Sequence, residues 1–138
     1  MKTNRLSKRL AAGLNVLMTK EAYASQIYLS YAEWANNQGF GGIANYLFRH
    51  AQEERNLMMK ILEYMLKRGS KVHISTIPDP LENPVSLNSC VEKIFEQEAD
   101  NKKTVHMLLN MILNEEDRAT WNFVQWYLKA QIKRKWLL

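Results

Sequence analysis

Helix-breaking residues are confined to a few places in this chain, and the stretches between them dictate what it can fold into. All three prolines, Pro78, Pro80 and Pro84, fall within one segment, and three of the five glycines, Gly39, Gly41 and Gly42, sit in one turn cluster beside Asn36 and Asn37. Inside a helix a proline costs about 3 kcal/mol and a glycine about 1 kcal/mol. Four long tracts therefore remain in which a helix can run with little interruption.

The first tract, Leu6 to about Asn36, carries Leu10, Leu14, Leu17, Glu21, Ala24, Tyr28 and Tyr31 at the three-and-four spacing of one helix face. The second follows the turn cluster to about Arg68, with Leu47, His50, Glu54, Leu57, Ile61 and Met65 on its stripe and Gly69 placed as a C-terminal stop. The third, capped by Ser86 or Asn88, carries Val91, Ile94, Glu98, Asn101, Val105, Leu108 and Ile112. After a short turn at Asn114 to Asp117, a fourth helix holds Trp121, Phe123, Val124, Trp126, Tyr127 and Leu128 and runs to the end of the chain.

Between the second and third tracts lies Ser70 to Ser86, a proline-bearing connection of 17 residues. That is long for a compact domain, and the arrangement requiring it is a bundle whose middle helices run parallel, joined by one overhand crossover. The expected fold is all-α: a four-helix bundle, one domain over residues 1–138, with one long crossover between helices two and three. A chain of this length can bury roughly two-thirds of its unfolded surface.

Composition narrows the function classes. The formal charge is +5, but the bases are only partly gathered. Lys2, Arg5, Lys8 and Arg9 lie near one end and Lys129, Lys133, Arg134 and Lys135 near the other, with no stacking aromatics interleaved in the first group. This is a poor footprint for nucleic acid. The single cysteine, Cys90, cannot pair within the chain, which points to a reducing cytoplasm. A basic start, the apolar run Leu10 to Met18 and Ala22-Tyr23-Ala24 imitate a secretory signal, but Asn15, Lys20 and Glu21 interrupt it and the helical stripe continues unbroken. No stretch approaches the roughly 20 apolar residues of a membrane span.

The informative residues are Glu21, Glu54 and Glu98, which interrupt three apolar stripes and would point inward. An ionised carboxylate in a helical core costs several kcal/mol unless a proton, a cationic side chain or a metal balances it. Oxygen-rich cages of this kind suit iron or manganese, and di-iron bundles take one Glu from each of two helices and a Glu-x-x-His unit from each of the others. The competing reading turns each stripe by one position and leaves the glutamates as solvated partners of surface lysines.

Three segments carry a resemblance: Glu21-Ala22-Tyr23-Ala24-Ser25 with Tyr28; Arg49-His50-Ala51-Gln52-Glu53-Glu54; and Asn122-Phe123-Val124-Gln125-Trp126-Tyr127. Over nearly its whole length the chain resembles the bacterial non-haem ferritins, and Thr76 to Pro84 is similar to their crossover. The resemblance implies a ferritin-like bundle and iron storage, with Glu21, Glu54 and Glu98 as the carboxylates of a ferroxidase centre and Gln131 in the second-site position. It implies that Tyr28 and Trp126 lie beside that centre, and that Glu53 belongs to a third, weaker iron site. It also implies iron as cargo, oxygen as oxidant, and a homo-oligomer ranging from a dimer to a shell of 24 subunits.

The departures from the family matter as much. Where the family places a histidine ligand three residues after the helix-two glutamate, this chain has Leu57, and where it shows Glu-Gln-His-Glu-Glu this chain reads Ala130-Gln131-Ile132-Lys133-Arg134. Arg134, turned inward, could form a fork to Glu54 or Glu98 and replace the charge of iron. Two functions therefore stay open: a ferritin that oxidises and stores iron, and a ferritin-like structural subunit without ferroxidase activity of its own. A DNA-associated relative using its basic ends is a weaker third. In bacterioferritins the haem methionine follows the helix-two glutamate, and here that residue is Arg55, so no haem is expected. His50, His73 and His106 fall outside the ligand positions and read as satisfied or solvent-facing side chains.

Overall fold

A computed structural model describes residues 5–80 and 82–135, with side chains as far as Gln131. Its elements are α1 (Lys8–Asn37), α2 (Gly41–Lys67), α3 (Leu87–Glu115) and α4 (Arg118–Lys135), with no strand among the described residues. The expected all-α bundle is present, and its boundaries have local causes. The Ser7 hydroxyl caps α1 by accepting from the Leu10 N–H at 3.1 Å, so α1 begins just after the Leu6 read from sequence. Ser86, rather than Asn88, caps α3 by accepting from the Ser89 N–H at 3.1 Å. Gly69, with φ of 68°, turns the chain out of α2 in the left-handed region open to glycine.

Helices α2 and α3 run parallel, as the long connection requires: His50 lies beside Glu98, and Arg68, just past α2, lies beside Asp117, just past α3. The crossover is tied to α1 by a paired contact, in which the Asn15 side-chain amide donates to the His73 carbonyl at 3.0 Å and its oxygen accepts from the His73 N–H at 2.8 Å. Helices α1 and α2 form the most extensive pair, whereas α4 packs more lightly on α3 and α2.

The core divides into two apolar clusters. One gathers Leu10, Leu14, Leu17, Leu57, Ile61, Met65, Val105, Leu108, Ile112, Val124 and Tyr127. The other gathers Ala24, Ile27, Tyr28, Tyr31, Leu47, Cys90 and Ile94. Every stripe residue named on α1 and α2 is buried. On α3 the stripe holds from Ile94 onward except at Glu98, which is half-buried, while Val91 is 40% exposed. Trp126 on α4 is 45% exposed and lies against Phe123, so the bulk expected of it in the interior comes from Tyr127 instead. Among the described residues no helix is long and apolar enough to cross a membrane.

Candidate metal centre

The two apolar clusters are separated by a polar layer. Its members are Glu21 on α1, His50 and Glu54 on α2, and Glu98 and Asn101 on α3, and all but Glu98 are buried. Glutamates at stripe positions reach this layer because helical periodicity places residues three and four apart on one face. Leu17 and Ala24 flank Glu21 in this way, and Ile61, Leu57, Leu47 and Ala51 surround the Glu54 position on α2.

Glu21 has no exposed surface. One oxygen, Oε1, accepts from Asn101 Nδ2 at 2.8 Å, and the Tyr127 phenol also hydrogen-bonds to this carboxylate. The Tyr127 hydroxyl in turn accepts from Gln131 Nε2 at 2.9 Å. Burial first, and the nearby Glu21 charge second, push the Tyr127 phenol well above its ordinary value, so its proton stays in place as a donor. Gln131, on α4, therefore reaches the layer through Tyr127.

Glu54 and Glu98 meet at His50. Its Nε2 lies 3.3 Å from Glu98 Oε1 and 3.7 Å from Glu54 Oε1, with both the imidazole and the Glu54 side chain 4% exposed and Glu98 16%. The imidazole is boxed by two aromatic rings, Tyr28 at 4.5 Å between centroids and Tyr46 stacked at 5.5 Å. Tyr28 thus sits beside the layer. Glu53 is half-buried, on the next position round the helix from Glu54. On the α1 side, the Ser25 hydroxyl donates to the Ala51 carbonyl at 2.7 Å and locks α1 against α2 next to the layer.

The layer brings together Glu54, Glu98 and an imidazole that sequence periodicity placed on the stripe but assigned no role. Its position on the same stripe as Glu54, one turn earlier, was the signal available. Glu21 stands apart with Asn101 and Tyr127. Among the described residues, no three of His, Cys, Asp and Glu are close enough to hold a common metal ion as they stand. Leu57 is buried in the apolar cluster beneath the layer, one turn past Glu54. The fork from Arg134 to Glu54 or Glu98 falls on a side chain outside the described residues, as does that of Lys133; Ala130 is half-buried.

The chain matches the Ferritin-like domain family over residues 11–138. It is 34% identical to the bacterial non-heme ferritin of Campylobacter jejuni over 126 residues, 91% of this chain and 75% of the relative. A probable bacterial non-heme ferritin-like protein of Haemophilus influenzae is 35% identical over 91% of this chain and 76% of its own length. Among solved structures, the open pore ferritin of the hyperthermophilic archaeon Archaeoglobus fulgidus superposes with a TM-score of 0.90 at 30% identity, covering 97% of this chain and 80% of that one.

Proposed function

The chain belongs to the ferritin family, and from that premise we propose that it is an iron-storage protein acting as one domain in a cytoplasmic homo-oligomer, in which Glu21, Glu54 and Glu98 receive Fe(II). The observation carrying this reading is the layer itself. Carboxylates at 0% and 3% exposure lie between two apolar clusters, where they destabilise the chain unless a favourable charge or donor balances them. A hard divalent cation suits that balance, and carboxylate oxygens suit iron. Gln131 and Tyr127 contribute donors on the α4 side, Tyr28 an aromatic wall, and Glu53 a carboxylate of a third, weaker iron site. Oxidation of iron by oxygen at this centre, and storage of ferric mineral within a shell, complete the proposal.

A second reading has an observation of its own. Leu57 occupies the position of the family's histidine and is 6% exposed within the apolar cluster, so it offers the metal nothing. A subunit of this kind could form part of an oligomeric shell without ferroxidase activity of its own. Anaerobic Fe(II) titration followed by oxygen, read by the ferric absorbance and by mass from light scattering, separates the two. The storage reading expects iron uptake that falls at least tenfold in a Glu21→Ala, Glu54→Ala double variant. Unchanged uptake in that variant refutes the carboxylate layer as the entry site. Rapid oxidation of two irons per chain refutes the inactive-subunit reading.

A further inference from the structure

We propose that His50 is a metal ligand in its own right, supplying through Nε2 the nitrogen that Leu57 cannot, and binding a divalent first-row ion together with Glu54 and Glu98. This rests on the reading of the carboxylate layer as a metal site and adds a residue to it.

Three observations carry the assignment. The imidazole is 4% exposed, so its Nε2 has no water to turn to, and it makes no hydrogen bond. A buried ring nitrogen without one is costly and calls for an explanation. At 3.3 Å from Glu98 Oε1 the separation permits a hydrogen bond, so it is the angle that fails.

The separations themselves fit a shared ion. Donors bonded at about 2.1 Å to one metal stand about 3.0 Å apart at right angles, about 3.4 Å apart tetrahedrally and about 3.6 Å apart at 120°. Nε2 lies 3.3 Å from one carboxylate oxygen and 3.7 Å from the other. As they stand the three groups do not converge on one ion, so Glu54 and Glu98 have to turn toward a common point, where a cation offsets the repulsion between two carboxylates. Rotation of their side chains is the movement required, and Glu98, at 16% exposure, leaves an approach from solvent. The Tyr28 and Tyr46 rings hold the imidazole in its orientation, in the manner of residues that fix a ligating histidine from behind.

The test uses the full chain with Zn(II) as the probe, followed by calorimetry and by NMR of the ring nitrogens of 15N-labelled histidine. The expected result is a coordination shift at His50 at the first equivalent, with His73 and His106, both exposed, unmoved. His50→Gln and Glu54→Gln should each weaken that first site at least tenfold while keeping the helical circular dichroism of the parent. Zn(II) binding that leaves the His50 nitrogens unshifted overturns the assignment, as does equal or tighter binding by His50→Gln, which would make the imidazole a competitor of the metal. Leu57→His separates this proposal from the reading beneath it. If that variant binds Zn(II) and the parent does not, the carboxylate site stands and His50 falls as a ligand. If neither binds, the carboxylate site falls and takes His50 with it.

Discussion

Replacing Arg68 by alanine should unfasten α4, because its guanidinium is the clamp between the end of α2 and the start of α4. It donates to Asp117 through both nitrogens, at 3.1 and 3.0 Å, and through Nη1 also to the Tyr64 hydroxyl at 2.6 Å and to Thr120 Oγ1 at 3.1 Å. Asp117 has a second task, accepting from the Thr120 N–H at 3.0 Å as the cap of α4. Bonds to a charged group are worth about 1.5–3 kcal/mol each when removal leaves the partner in place. With the two side chains 16% and 14% exposed, solvent screens the fork only in part. The loss in Arg68→Ala should be about 3 kcal/mol, a fall in Tm of roughly 10 °C for a chain of this size. Arg68→Lys keeps the charge without the fork and should lose about half of that.

The same clamp has a pH signature. Burial pushes the Asp117 carboxyl upward, but the Arg68 and Thr120 bonds outweigh it and hold it below the ordinary carboxylate value, while Asp117 in turn raises Arg68. A depressed carboxyl contributes stability above its unfolded value of about 3.9, and that contribution is lost as pH falls through the folded value. Thermal unfolding by circular dichroism, at fixed protein concentration, should therefore show Asp117→Asn well below the parent at pH 7, with the gap shrinking below about pH 4. A cost for Arg68→Ala of less than about 1 kcal/mol, or an Asp117→Asn gap indifferent to pH, refutes the clamp.

Other outcomes follow from single features. A Cβ at Gly13 would lie 2.8 Å from Met111 Cε and 2.9 Å from Leu108 Cδ1, both ends of side chains that can yield, so Gly13→Ala should change stability by no more than about 1 kcal/mol in denaturant unfolding, the gain in helix propensity offsetting the repacking; a loss of several kcal/mol refutes that these side chains can give way. Glu116 ends α3 at φ of 55°, and Glu116→Gly should stabilise by up to about 1 kcal/mol by relieving a left-handed side chain. Asn15→Ala removes both bonds to His73 and should speed amide exchange in residues 71–77 at least several-fold without altering that of α2. Tyr31 is pushed up to about 12 by burial, and Tyr127 is also raised. Their contribution is whole below pH 10 and is lost as pH rises beyond it, so absorbance at alkaline pH should show a tyrosine fraction that ionises only with unfolding, reduced in Tyr31→Phe and in Tyr127→Phe.

The stripes on α1 and α2 were legible in sequence residue by residue, because a core-facing helix repeats its apolar positions with a period that nothing else imposes. Burial of Glu21 and Glu54 could be read from that register alone. Val91 and Trp126 were not legible: each fits its helix's apolar pattern, but exposure depends on how far a neighbouring helix covers it.

Periodicity and the placement of prolines by themselves determined four helices, one parallel middle pair and an acidic layer within the core. Only tertiary structure decided how that layer is divided, with Glu21 drawn to Asn101 and Tyr127 and with His50 set between Glu54 and Glu98. The reason is that one sequence stripe fixes the direction of a side chain from its own helix axis, whereas its partners depend on the offset and rotation of three other helices, set by the packing of all of them at once.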